Sequence, residues 1–366
     1  MKKILFIIGT RPEAIKILPI YIFFKKYNKF DIKICITAQH RKMLDDVMSF
    51  FGVKADYDLD LMRQNQILDE LTSKILLGVS SILDEFMPNL VFVHGDTTTS
   101  FAASLASFYK KIDVAHVEAG LRTYDIYSPF PEEVNRQLTS KIAKYHFAPT
   151  LLAKQNLLRE NIDEDNVFVV GNSVIDALFF TLDKLKKTTP CLDYTPSERK
   201  FILITGHRRE NFGDNFLNIC NSIKELAIKY SSDMDFVYPL HLNPNICEPA
   251  KKILSDIKNV YLIEPLKYES FVYLMSKAYI ILTDSGGIQE EAPSFGKPVL
   301  VMRNNTERPE AVEAGTVRLV GTTGIADEVC KLVENVDEYN KFKNLKNPYG
   351  DGKTSNKIYE IIESLL

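Results

Sequence analysis

No apolar run in the 366 residues approaches the roughly 18 that a membrane-spanning helix needs, so no membrane partner is expected. Met1-Lys2-Lys3 and the apolar residues 4–8 have the outline of a secretory leader, but Gly9, Arg11 and Pro12 end the run too early. Cysteine is scarce: Cys35, Cys191, Cys220, Cys247 and Cys330 are odd in number, scattered and without a CxxC. That set excludes a disulfide framework and fits reduced thiols in a soluble cytoplasmic protein. Neither sign of charge dominates, with 45 basic against 48 acidic residues. Nucleic acid and acidic membrane surfaces therefore lack their usual electrostatic reason to bind. Metal-ligand spacing is missing too, since no two of the six histidines stand as HxxxH, and neither metal nor other cofactor is expected.

What is present is alternation. Short β-branched runs at 4–8, 32–37, 90–94, 114–117, 146–148 and 167–170 are separated by helix-like segments, and after residue 200 the series restarts at 201–205, 236–240, 260–263, 279–282, 299–302 and 317–320. Such alternation predicts parallel sheets wrapped by helices. The chain is also longer than one core usually supports. Residues 182–200, polar and carrying Pro190 and Pro196, form the best linker candidate. The expectation is an α/β protein of two Rossmann-like domains, 1–182 and 183–353, facing each other across a cleft with the carboxyl ends of their strands.

The loops after those strands hold the unusual residues. The run 279–282 feeds Thr283-Asp284-Ser285-Gly286-Gly287 and then a helical pattern. Ser285, Gly286 and Gly287 would let backbone N–H groups approach an anion such as a pyrophosphate, although a plain turn capping a helix would use the same residues. Glu290 and Glu291 follow, and at least one is placed to accept hydrogen bonds from sugar hydroxyls. After the first strand, Thr10 and Glu13 have capping-box spacing, with Arg11 and Lys16 near the opening where a diphosphate needs positive charge.

Two further strands end in HGDTTT and HVEAGLR, which puts Asp96 and Glu118 at one end of a sheet. In SPFPEEVNR, Glu132 and Arg136 lie one helical turn apart, a spacing that also suits an ordinary surface ion pair. Taken with Asp96 and Glu118, Glu132 becomes a third carboxylate, and crowded carboxylates persist chiefly where proton transfer needs them. Of the histidines, His40, His94, His116, His207 and His241 fall at or just past the ends of apolar runs, while His146 sits inside one as a core residue. His207 opens the run His207-Arg208-Arg209, three cationic or potentially cationic groups in the second domain's first loop.

The stretches GTRPEAIK (9–16), AQHRKMLD (38–45), VHGDTTTS (93–100), HVEAGLRT (116–123), SPFPEEVNRQL (128–138), GHRREN (206–211), DSGGIQEEAPSFGKPVL (284–300), TERPEAVEAGT (306–316) and NPYGDG (347–352) together resemble the non-hydrolysing UDP-N-acetylglucosamine 2-epimerases of bacteria. The resemblance implies the GT-B architecture, a homodimer, a C-terminal helix at 354–366 that crosses back to the first domain, and interconversion of UDP-GlcNAc with UDP-ManNAc for cell-surface polysaccharide synthesis. It further implies that Asp96, Glu118, Glu132, Arg136 and His207 form the catalytic set, that Phe271 contacts uracil and that Glu291 contacts ribose. Gln39, Gln66, Arg208 and His241 match positions of a second, activating UDP-GlcNAc site, whereas Lys42 and Asn65 depart from some relatives there. The alternatives are a hydrolysing epimerase that releases ManNAc, from which the GTRPEAIK and AQHRKMLD stretches lean away, a C2 epimerase of a modified UDP-sugar, a retaining glycosyltransferase of the same fold and a UDP-sugar sensor without turnover.

Overall fold

Every apolar run named above forms a strand. In chain order the strands are β1 (Lys3–Ile8), β2 (Asp31–Ile36), β3 (Tyr57–Asp58), β4 (Leu90–His94), β5 (Asp113–Val117), β6 (Tyr145–Ala148), β7 (Val167–Val169), β8 (Lys200–Thr205), β9 (Met234–Pro239), β10 (Val260–Ile263), β11 (Ile280–Thr283), β12 (Val299–Val301) and β13 (Arg318–Leu319). The computed structural model describes residues 1–366 except Gln39, His40, Met62, Gln64, Asn65, Thr189, Cys191 and the side chain of Arg209. β3 was not expected from the sequence. Two residues are too few to show a period, and only pairing with Cys35 and Ile36 of β2 makes them a strand.

The chain divides into two units, one of Met1–Phe180 with Tyr349–Leu366, the other of Thr181–Pro348. Residues 182–200 do not form a linker throughout, because the helix Val174–Leu185 runs into them. No proline or glycine interrupts that helix before Pro190.

The first unit carries a parallel sheet in the order β3-β2-β1-β4-β5-β6-β7. Residues Ile4 to Ile8 of β1 are all fully buried, as expected where helices cover both faces. On one face Leu5, Ile7, Val91 and Val93 pack with Ile75, Val79 and Ala103 of the helices Leu68–Phe86 and Thr98–Tyr109. On the other, Phe6 stacks on Phe92 at 4.6 Å, and Phe24 of the helix Arg11–Tyr27 meets both rings edge-on. The C-terminal helix Thr354–Leu365 completes this face, with Tyr359 5.1 Å from Phe24 and 4.7 Å from Tyr27. Asp176 caps it by accepting from the N–H groups of Thr354 and Ser355.

The second unit repeats the plan as β10-β9-β8-β11-β12-β13, all parallel. In both sheets the strand order reverses once, between β1 and β4 and between β8 and β11. At such a reversal neighbouring loops diverge and leave room for a ligand beyond the strand ends.

Three histidines lie side by side in the first sheet: His94 ends β4, His116 sits in β5, and His146 faces it from β6. All three are buried, and His116 Nε2 lies 2.7 Å from the Gly95 carbonyl. Burial pushes His94 and His146 down to about 4, and His116 to about 3, where the neighbouring His146 adds to the effect.

Two outcomes are expected. Tyr359→Ala removes a ring from the aromatic face and should lower the stability of the first unit by about 3 kcal/mol, read from the shift of its denaturant midpoint. The buried histidines are neutral when folded but accept protons near pH 6.5 when unfolded, so the stability they give is complete above that pH and drains away as pH falls towards 4. Each contributes a slope of up to about 1.4 kcal/mol per pH unit. Melting temperature should fall through that window and fall less steeply in His146→Gln; a flat profile contradicts the assignment.

Candidate functional site

At the reversal of the first sheet, β1 ends in Gly9 and the helix Arg11–Tyr27 begins behind a Thr10 cap. Only glycine fits at position 9, because a Cβ there would lie 2.2 Å from Thr99 Oγ1 and 2.4 Å from Thr37 Oγ1. Glu13 completes the predicted capping box and does more. Its Oε2 accepts from the N–H groups of Gly9 and Thr10 at 3.0 and 2.7 Å, and its Oε1 accepts from the hydroxyls of Thr97 and Ser100 at 2.7 and 3.3 Å. This fully buried carboxylate therefore ties the loop after β1 to the loop after β4 that carries Asp96. Burial raises its pKa, and the hydrogen bonds from Thr97, Thr10 and the Gly9 N–H oppose the rise.

Four of the expected groups are brought together here. Lys16 reaches from the first helix to form an ion pair with Glu118. Glu118 follows β5 with a left-handed backbone (φ +61°), a conformation that costs a side-chain-bearing residue about 1 kcal/mol or more and often marks a functional position. Its Oε2 also accepts from Asn172 Nδ2 at 2.8 Å, and His94 Nε2 stands 3.8 Å from Oε1. Asp96, one residue past the left-handed Gly95, pairs with Arg136. Burial raises the Asp96 pKa, Arg136 pulls it down, and the charges of Glu118 and Glu132 push it up again. Asp96 therefore senses both other carboxylates.

One expected pairing is corrected. Among the described residues Arg136 is held by Asp96 and by Glu133 at 3.4 Å, not by Glu132. The helix begins at Glu132, which turns Glu133 inward, where it is fully buried and accepts from the N–H groups of Thr123 and Tyr124, each at 3.0 Å. Arg11 is the first residue of its helix and is half-buried.

The reversal of the second sheet places Gly206-His207-Arg208 after β8 and Asp284-Ser285-Gly286-Gly287 after β11. Buried Asp284 organises both. Its Oδ2 accepts from the N–H groups of His207 and Arg208 at 2.9 Å and from Asn211 Nδ2 at 3.2 Å, and its Oδ1 lies 3.5 Å from His207 Nδ1. Burial lowers the His207 pKa, Asp284 pulls it up, and His241, stacked at 6.0 Å between ring centroids, lowers it further. Ser285 precedes the helix Gly286–Glu291, which ends within two turns as Pro293 follows. So short a helix has little dipole. Positive charge at the turn comes instead from two guanidiniums, because a Cβ on Gly286 would stand 3.6 Å from Arg208 Nη2 and 3.7 Å from Arg308 Nη2. Arg308 is fixed by its Nε donating to Glu290 at 2.6 Å, and Glu291 accepts from the Tyr268 hydroxyl at 3.3 Å. Glu290 is thus the arginine's partner. Phe271 lies half-buried on the helix Tyr268–Lys277.

Sequence reading missed Arg308, Asp284, Glu133 and Asn172. Each acts through a partner distant in sequence or through helix phase, although Arg308 stands in the quoted TERPEAVEAGT motif. Of the second-site residues, Gln39 lies outside the described residues, and Gln66 donates to the Leu61 carbonyl at 3.0 Å. Arg208 forms an ion pair with Glu307 at 3.2 Å, and His241 stacks on His207 as above. Among the described residues no cluster of His, Cys, Asp and Glu is arranged to hold a metal, and no helix is long and apolar enough to cross a membrane.

Comparison with known proteins places this geometry. The family model for UDP-N-acetylglucosamine 2-epimerase matches residues 24–363. A UDP-N-acetylglucosamine 2-epimerase of Neisseria meningitidis is 56% identical over 100% of this chain and 99% of its own. The crystal structure of UDP-GlcNAc 2-epimerase from Neisseria meningitidis bound to UDP-GlcNAc superposes with a TM-score of 0.90 at 55% identity, covering 99% of this chain and 100% of that one. The Methanocaldococcus jannaschii UDP-GlcNAc 2-epimerase in complex with UDP-GlcNAc and UDP gives 0.77 at 37% identity, covering 99% of each. With two parallel-sheet α/β units of GT-B type and similarity along its whole length, the chain belongs to the UDP-N-acetylglucosamine 2-epimerase family of enzymes.

Proposed function

We propose that this chain interconverts UDP-GlcNAc and UDP-ManNAc by eliminating UDP to an unsaturated 2-acetamidoglucal and adding it back after protonation on the opposite face of C2. The C2 hydrogen has no adjacent carbonyl to acidify it, so simple removal and return is out of reach. Elimination couples loss of that proton to departure of the diphosphate. The chemistry then needs proton-transfer groups for the two faces and cations for the leaving group.

The observation that carries the reading is the pair of strand-end carboxylates, each with its own fixed cation: Glu118 with Lys16, and Asp96 with Arg136. Lys16 favours the ionised form of Glu118, which suits it to accept a proton. Asp96, raised by burial and by the charges of Glu118 and Glu132, is suited to hold and deliver one. Glu132 contributes its charge to this set. A protein that only bound the sugar nucleotide would gain nothing from three acidic groups beside one another.

The departing diphosphate is assigned to Arg11, His207 and the Ser285-Gly286-Gly287 turn with its Arg208 and Arg308 guanidiniums. Phe271 is assigned to the uracil and Glu291 to the ribose. Both guanidiniums stand in van der Waals reach of Gly286, 3.6 and 3.7 Å from where a Cβ would lie, and so are at hand for a phosphate on the turn.

Incubation with UDP-GlcNAc in deuterated water, followed by proton NMR, tests the reaction directly. UDP-ManNAc carrying deuterium at C2 is expected. Free ManNAc would identify a hydrolysing enzyme instead, and an unchanged spectrum would sink the proposal. Asp96→Asn and Glu118→Gln should each lower exchange at C2 by about 10³-fold while UDP affinity stays within a few fold. Full exchange in both variants would remove them from the chemistry. His207→Ala should lower kcat by about 10²-fold through lost stabilisation of the diphosphate, and unaltered turnover would count against that role.

A further inference from the structure

Glu118 has a left-handed backbone and needs its side chain held from outside. Lysine brings charge on a rotatable stem and so does little to fix the direction of a carboxylate. The group that fixes direction is Asn172, 3% exposed, whose Nδ2 donates to Glu118 Oε2 at 2.8 Å. Its amide cannot be reversed, because Oδ1 already accepts from the Val174 N–H at 3.0 Å.

The backbone of Asn172 is itself anchored: its N–H donates to the Tyr349 carbonyl at 2.6 Å. Tyr349 is the residue at which the chain rejoins the first unit on its way to the C-terminal helix. Gly171 allows the close approach, with φ +94° and a Cβ position 2.9 Å from Thr354 Oγ1 and 3.2 Å from the Tyr349 carbonyl. Thr354 Oγ1 donates to the Val170 carbonyl at 3.2 Å, and Asp176 holds the Thr354 and Ser355 N–H groups. The loop of 170–172 is therefore clamped by the crossing segment on one side and reaches Glu118 on the other.

We infer that Asn172 is a positioning residue for Glu118, transmitting the seat of the C-terminal crossing segment to the orientation of that carboxylate. The inference rests on the reading that Glu118 exchanges a proton with the sugar. Other groups that face Glu118 include Lys16 from the first helix, His94 at the end of β4 and, through its charge, Asp96.

Asn172→Asp is the discriminating change. It keeps the Tyr349 contact and the acceptor for Val174 but puts a second carboxylate against Glu118. The limb of the kcat/KM pH profile that reports Glu118 should move up by about one pH unit, since like charges raise each other's pKa. Asn172→Ser, whose shorter side chain withdraws the donor from Glu118 without adding charge, should lower kcat about tenfold with KM within about twofold. Should the Asp variant fail to fold, the Ser variant decides. A wild-type pH profile in the first, or wild-type kcat in the second, overturns the inference. Glu118→Gln serves as the control: wild-type exchange there sinks the reading of Glu118 itself, whereas a dead Glu118→Gln beside a wild-type Asn172→Ser sinks only the role of Asn172.

Discussion

A carboxylate beyond the end of a buried strand is tolerable only if a cation is built in beside it, and that constraint shapes the first unit. Glu118 and Asp96 emerge from neighbouring strands β5 and β4 and sense each other's charge. Lys16 and Arg136 arrive from two different helices to offset them. Much of the surrounding structure serves to keep those four groups in register. Glu13 ties the first loop to the Asp96 loop, Glu133 holds Arg136 from its own helix, and Asn172 sets Glu118 from the C-terminal side. Asn172 is a neutral amide, and Glu13 and Glu133 each accept from backbone N–H groups, so the holders are themselves fixed.

The second unit solves the opposite problem. Its reversal point gathers His207, Arg208 and Arg308, with the buried carboxylate of Asp284 among them. Its Oδ2 accepts from the backbone N–H groups of His207 and Arg208 and from Asn211, so the carboxylate shapes the cationic loop. Glu290 likewise gives its charge to Arg308. The acidic residues near this turn thus orient the basic ones, and a helix of only six residues is spared the task of binding an anion by its dipole.

The fold was legible because parallel strands covered on both faces leave unbroken apolar runs, and such runs survive reading one sequence at a time. β3 was missed because two residues make no run. Candidate residues were legible in each unit where they stand at strand ends, as for Asp96 and Glu118 in the first and His207 and the glycine turn in the second. The contacts that hold them were not legible, because their meaning lies in partners far along the chain. Lys16 and Glu118 are 102 positions apart, and Asn172 is 54 from Glu118. Glu132 and Glu133 show a subtler limit: adjacent identical residues exchange roles with a shift of one position in the start of a helix, which sequence alone leaves undetermined.

The central claim is that Lys16 holds Glu118 as a carboxylate ready to take a proton from the sugar. The most direct measurement is the pH dependence of deuterium incorporation at C2 in Lys16→Met, compared with the unaltered enzyme. With its cation gone, Glu118 should hold its proton to higher pH, and the acid limb should rise by about one unit or more. An acid limb that coincides with that of the unaltered enzyme would contradict the account.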